Sequence, residues 1–267
     1  MTSEQPSHSS LEQAICGVKE PITFWLWNLA AGSADASRVA DLPQIEEVSL
    51  RTKDGRHLKG YKHKTFHPQA KGYLLIVQGN AMLADQIISS FHSFSEVGYD
   101  VYVIDYRGYG RSEGKRRFKA MLSDYREIIH YLDSLDYSSR AFYGMSFGGI
   151  LLLDALRNDS QAKTLVIDSS PSRLSGYGCP LEHDPANNFP KQAQHTVVIV
   201  GAKDTIVPPE DSKELVTIAR HNGATIIEDQ AFGHPFVDGQ TIRRFKIVLD
   251  FLEQSYSMST GKGVSGD

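Results

Sequence analysis

Cysteine and tryptophan are scarce in this chain of 267 residues, with two of each. Cys16 and Cys179 can form at most one disulfide and show no metal-type spacing, which excludes a disulfide-stapled scaffold and a thiolate metal centre. A reducing compartment is compatible with so few thiols. Charge of one sign is also lacking: 28 basic against 32 acidic residues leave a net charge of −4, which gives no sign of a nucleic-acid partner. No stretch reaches the roughly 18–20 apolar residues that span a bilayer. The apolar block 21–31 follows Glu12, Lys19 and Glu20, which does not suit a secretory signal, and Ala14-Ile15-Cys16 lacks the small residue that a lipoprotein site needs before its cysteine. The expectation is a soluble, cytoplasmic chain. There is no internal repeat, and the Ser- and Gly-rich stretch from Ser255 to the end reads as disordered, with its domain boundary at 257–267.

With 40% hydrophobic residues and this length, one large domain can bury a sizeable core. Residues 45–52 and 57–65, joined by the turn Lys53-Asp54-Gly55, read as an antiparallel hairpin. Apolar runs follow at 73–77, 101–104, 140–143, 164–167, 196–200 and 225–227, and suit strands buried on both faces of a parallel sheet. Between them lie helical patterns. Met121, Leu122, Tyr125, Ile128, Ile129 and Leu132 share one face, and Ile242, Phe245, Leu249 and Leu252 form a stripe on a final helix. This order predicts an α/β fold: an eight-stranded, mostly parallel sheet with helices on both faces. The domain spans 45–256, after an N-terminal extension over 1–44. Residues 171–194 break the rhythm as a Pro- and Gly-containing loop without helical periodicity, and loops of this length are usually functional.

Two Gly-rich turns follow strands. Arg107-Gly108-Tyr109-Gly110-Arg111-Ser112-Glu113-Gly114 has its third glycine one position late for a dinucleotide fingerprint and opens no helix directly, so it reads as a structural turn. Gly144-Met145-Ser146-Phe147-Gly148 fits G-x-S-x-G between a strand and a helix, the context of a nucleophile elbow. A serine nucleophile needs a histidine base, and that base needs a carboxylate to fix its tautomer. Asp204 follows the strand at 196–200, and His234 lies in the loop before the final helix. Strand ends of open α/β sheets are where ligand chemistry collects, so Ser146, Asp204 and His234 can converge. Asp168, at the end of the strand before, is the rival acid. His183 and His195 lack a fitting carboxylate context. His63, His67 and Glu182-His183-Asp184 have no zinc-type spacing and read as exposed polar segments, so no metal or cofactor is expected.

On these motifs the sequence resembles the α/β-hydrolases over about 45–256, through Gln78-Gly79-Asn80-Ala81, the segment Asp105 to Ser112 and the three triad segments. It is most similar to the branch that holds monoacylglycerol lipases, serine aminopeptidase-like hydrolases and protein depalmitoylases. The resemblance implies an oxyanion hole from the backbone N–H groups of Phe147 and Asn80. It also implies a lid after the sixth strand, which here is reduced to the loop 171–194. Gln78 departs from the branch, which places a histidine there. The implied function is cleavage of a small-molecule or acylated ester or thioester through an acyl-Ser146 intermediate. A peptidase or amidase of the same fold and a non-catalytic small-molecule sensor remain as alternatives, and an aminopeptidase would need an acid such as Glu182 or Asp184 for the substrate ammonium. The oligomeric state is not readable.

Both tryptophans lie in Pro21-Ile22-Thr23-Phe24-Trp25-Leu26-Trp27-Asn28-Leu29, upstream of the region the family resemblance covers. Large aromatic surfaces are seldom left without a partner. The segment could be a helix packed on the body, a cover over the active-site mouth in place of the reduced lid, or a membrane contact through Phe24, Trp25 and Trp27. The first of these, a helix packed far from the cleft, is the leading reading, and of the other two the cover is favoured over the membrane contact.

Overall fold

The computed structural model describes residues 14–161 and 164–260, with side chains to 257. Helix α1 (Glu20–Ala31) precedes the sheet, with Pro21 in its first turn, where a missing N–H costs nothing. The hairpin β1 (Ile45–Arg51) and β2 (His57–His63) follows, registered Leu50 opposite Leu58. Its turn closes through the Gly55 amide donating to Thr52 O (2.9 Å), with Gly55 at φ 82°.

The remaining elements alternate. Strand β3 (Gly72–Val77) leads to two short helices, α2 (Ala84–Ile87) and α3 (His92–Glu96), then β4 (Tyr99–Ile104), α4 (Phe118–Asp133), β5 (Arg140–Met145), α5 (Phe147–Leu156) and β6 (Thr164–Asp168). After an irregular connection that contains the single turn α6 (Pro185–Asn188) come β7 (Thr196–Gly201), α7 (Pro209–His221), β8 (Thr225–Asp229) and α8 (Thr241–Thr260). The sheet has eight strands in the order β1-β2-β4-β3-β5-β6-β7-β8. Pairing is antiparallel at β1–β2 and β2–β4 and parallel from β4 across to β8. One face is covered by α1, α4, α5 and α7, the other by α2, α3 and α8, which explains why the central strands are apolar without alternation.

The predicted strands are all present, most of them extended by a residue or two. The α4 stripe is buried as its periodicity predicts. Two expectations are corrected. Helix α8 continues to Thr260, so the stretch from Ser255 to Thr260 is helical, with Ser255 buried; residues 261–267 lie outside the described residues. Ile242 is 88% exposed, and the buried face of α8 is carried by Arg244, Phe245, Val248 and Leu252.

Candidate active site

Strand β5 runs straight into α5 with Ser146 at the joint, at φ 53° and ψ −117°, a conformation that a residue with a Cβ adopts only when its surroundings enforce it. They do so at close quarters. A Cβ on Gly148 would stand 2.0 Å from Val77 O, and one on Gly144 would stand 2.6 Å from Gly149 Cα. Only glycine permits that approach. The Ser146 amide donates to Asp168 O (2.8 Å), and Ser146 O accepts from Ser170 Oγ (2.8 Å) and Gly149 N (3.1 Å), so the backbone is held on both sides of the joint.

Phe147 is the first residue of α5, and its N–H has no partner within the helix. Among the described residues neither the Phe147 nor the Asn80 amide donates to a protein acceptor, and both residues border the pocket that contains Ser146. The turn carrying Asn80 is itself strained, with Ala81 at φ 57°. Gln78 is fully buried behind it: Nε2 donates to Ile104 O (3.1 Å), and its backbone O accepts from Tyr106 Oη. The amide therefore braces the loop from below. Its Oε1 has no partner among the described residues.

His234 sits in the β8–α8 loop with Nδ1 2.9 Å from Asp204 Oδ2, and the two side chains are 10% and 1% exposed. The other oxygen of Asp204 accepts from the amides of Ile206 and Val207, both at 2.9 Å. Burial pushes the Asp204 carboxyl up, but the hydrogen bonds from His234 and those two amides outweigh it and leave the group below its ordinary value. Ile206 and Val207, whose amides Asp204 accepts from, also line the pocket beside Ser146. The His234 loop is fixed from α8: Arg244, 1% exposed, donates to Gly233 O (2.9 Å), Asp238 (2.8 Å) and Asp168 (2.6 Å). Sequence reading missed Arg244. The available signal was an arginine on the otherwise apolar face of α8.

Asp168 is committed elsewhere, to Arg244, Tyr143 Oη (2.8 Å) and Ser169 Oγ (3.1 Å), and the carboxylate that meets His234 is that of Asp204. His183 is corrected: it does have a carboxylate, Asp154, 2.7 Å from Nδ1, while its Nε2 lies 3.5 Å from Glu182. Asp154 is buried on α5, out of view of any local spacing rule. His195 borders a separate, polar hollow of about 640 Å³ together with Asn158, Gln161 and Gln192. His63 Nδ1 faces Lys64 O (3.2 Å), and His67 Nε2 faces Glu96 O (2.8 Å). The turn after β4 is structural: Arg107 pairs with Asp124 and Asp54, and Gly108, Gly110 and Gly114 all have positive φ.

A pocket of about 270 Å³ opens beside Ser146, and its apolar wall includes Trp27, Ile150, Leu174 and Tyr177. Helix α1 therefore contributes to the site. The rings of Phe24 and Trp27 pack edge-on to Phe147 at 5.8 and 5.5 Å. Phe24 is fully buried and Trp27 lines the pocket, while Trp25 is 52% exposed. Among the described residues no helix is long and apolar enough to cross a membrane.

Comparison with known proteins agrees with this architecture. The model of the family described as serine aminopeptidase, S33, matches residues 68–177. An uncharacterised protein of Salmonella typhi, YfhR, is 28% identical over 211 residues, covering 66% of this chain and 70% of its own. Protein bem46 of Schizosaccharomyces pombe is 25% identical over 48% of this chain and 44% of its own. Among solved structures, the Pyrococcus furiosus esterase Pf2001 superposes with a TM-score of 0.65 at 16% identity, covering 84% of this chain and 96% of that one. Protein XC6422 of Xanthomonas campestris, described as a serine hydrolase without a lid, gives 0.64 at 17% identity over 79% and 95%. The sheet order, the strand–turn–helix at residues 140–156 and these likenesses agree on one architecture: the chain has the α/β-hydrolase fold, and its residues 68–177 are similar to the serine aminopeptidase family S33.

Proposed function

We propose that this protein is a serine hydrolase that cleaves a carboxylic ester or thioester through an acyl intermediate on Ser146. The observation that carries the reading is the strained Ser146 in a pocket that also holds two free backbone donors and the residues anchoring an Asp204–His234 pair. Asp204, held ionised, can only accept, so His234 carries its proton on Nδ1 and presents a lone pair at Nε2. Nε2 takes the Ser146 proton as Oγ attacks the acyl carbon. The oxygen that becomes negative accepts from the Phe147 and Asn80 amides, each such donor being worth about 3–4 kcal/mol in the transition state. The field at the start of α5 adds to that stabilisation. Collapse breaks the carbon–oxygen or carbon–sulfur bond, with His234 returning the proton to the leaving group. Water, deprotonated by the same nitrogen, then releases the acid and restores Ser146.

An ester or thioester is favoured over an aminopeptidase substrate because the acids near the site are occupied or turned away. Asp184 is fully buried and accepts from the amides of Leu174 (2.6 Å) and Ser175 (2.8 Å), and Arg173 lies 3.1 Å away. Glu182 is exposed at the surface. Neither carboxylate offers a seat for a substrate ammonium. A panel of matched p-nitrophenyl esters, acyl thioesters and aminoacyl anilides tests the reading. Ester or thioester turnover at least about a hundredfold above the anilide is expected; preference for the anilide, or no turnover of any of the three, would overturn it.

A further inference from the structure

Two stretches of chain that lie far from one another in sequence meet at one side of the pocket beside Ser146. Ile15 and Cys16 donate their amides to Tyr177 O at 3.1 and 3.4 Å, and Cys16 is disulfide-bonded to Cys179 across a separation of 163 residues. The join is tight: a Cβ on Gly178 would stand 3.1 Å from Cys16 O, and Gly178 takes φ 82°. Ile15, Leu174 and Tyr177 are all part of the pocket wall, so this junction is a boundary of the site. Deeper down, α1 is held independently, with Tyr109 Oη donating to Phe24 O (3.2 Å) and Gln86 Nε2 to Ala31 O (2.8 Å). Among the described residues, the junction at this end of the wall is joined by the disulfide and the two amide hydrogen bonds.

We propose that this pocket receives the acyl chain of the substrate and that the Cys16–Cys179 disulfide limits the chain length it admits, by holding Ile15 against Tyr177 as a stop. The substrate class is then a short-chain acyl ester or thioester while the bond is intact. About 270 Å³ is below the roughly 300 Å³ at which pockets begin to take drug-sized ligands. Reduction by a dithiol transfers two electrons and two protons, giving the Cys16 and Cys179 thiols and the cyclic disulfide of the reductant. The wall can then part at Ile15 and Tyr177, while Trp27 stays packed on Phe147, and longer chains extend past the former stop. Such a bond persists in oxidising compartments and opens in reducing ones, so the acyl selectivity would follow the surroundings.

This inference rests on Ser146 as the nucleophile, and its test separates the two ideas. Turnover of p-nitrophenyl acetate, butyrate, octanoate and dodecanoate is measured on the oxidised protein, on protein treated with dithiothreitol, and on Cys16→Ser, whose folding is checked by its melting curve. In parallel, binding of free dodecanoate is titrated calorimetrically to the oxidised and reduced protein. One methylene in an apolar pocket changes selectivity by about tenfold or more. The ratio of dodecanoate to acetate turnover should therefore rise at least about tenfold on reduction and in Cys16→Ser, and dodecanoate should bind at least about tenfold more tightly to the reduced form. Equal dodecanoate affinity in both redox states would overturn the proposal whatever the turnover. Redox-dependent affinity without turnover of any ester would keep the gated pocket and discard the hydrolase reading instead.

Discussion

Two strand-end aspartates can be told apart by exchanging each for asparagine, because one supports the fold and the other faces the histidine. Asp168→Asn removes one of the two carboxylates that meet Arg244, a guanidinium only 1% exposed. Breaking a buried ion pair from one side costs about 3–5 kcal/mol. Asp238 still lies 2.8 Å from Arg244, and the asparagine carbonyl can still accept, so the lower figure of about 3 kcal/mol applies, a fall in melting temperature of roughly 6–12 °C. Turnover should fall by less than about tenfold, since the partner of His234 is untouched. Asp204→Asn has the opposite signature. Its carbonyl can keep the bonds to the Ile206 and Val207 amides, so the stability change stays within about 1 kcal/mol. Its –NH₂ now faces Nδ1, which must become the acceptor, and the proton moves to Nε2, where it blocks the base. Turnover should fall by about ten-thousandfold. Urea denaturation followed by circular dichroism, with p-nitrophenyl acetate turnover on the same preparations, reads both effects. A loss of turnover in Asp168→Asn without a loss of stability, or near-normal turnover in Asp204→Asn, would refute the reasoning.

Three further outcomes can be checked. Gly148→Ala forces a methyl to within 2.0 Å of Val77 O and displaces the strand leading to Asn80, so turnover should drop about a hundredfold with a loss of stability of about 1–3 kcal/mol; full activity in this variant would contradict the close packing of the elbow. Burial pushes the Asp105 carboxyl up from 3.8 to about 7 despite the hydrogen bond from the Ala84 amide. The folded state therefore binds this proton more tightly than the unfolded one. The contribution is complete below about pH 4 and is lost as pH rises through about 7, by at most about 4 kcal/mol. Asp105→Asn should thus gain stability relative to the parent between pH 4 and 8 in denaturation curves, and a pH-independent difference would contradict the assignment. Removing residues 1–35 should both lower the melting temperature, through loss of the fully buried Phe24, and broaden the acyl selectivity, through loss of Trp27. An unchanged selectivity would show that α1 is only structural.

Much of this architecture was legible because it depends on local order. Unalternating apolar runs mark strands covered on both faces, and the spacing on α4 gives its buried side directly. The elbow was legible for the same reason, since a serine between glycines at a strand–helix junction has a local steric cause. Asp204 and His234 could be nominated by their strand ends, but their contact joins residues that are 30 apart. What escaped depended on tertiary encounters. Cys16 and Cys179 offer no spacing signal for a pairing across 163 residues, and their disulfide lies beside Ile15 and Tyr177 of the pocket wall. Arg244 broke the apolar pattern of α8, and the carboxylates that neutralise it come from β6 and the His234 loop. Ile242 shows the opposite error: periodicity placed it inward, but it lies in the first turn of α8 and is 88% exposed.

The central claim, that Ser146 is the acylated nucleophile, is tested most directly by intact-mass and peptide mapping after reaction with a fluorophosphonate probe, in the parent protein and in Ser146→Ala. The account predicts one adduct per chain, on the peptide containing Ser146, and neither adduct nor p-nitrophenyl acetate turnover in the variant, with its melting curve preserved. A folded parent protein that stays unlabelled, or a Ser146→Ala variant that still turns the ester over, would contradict it.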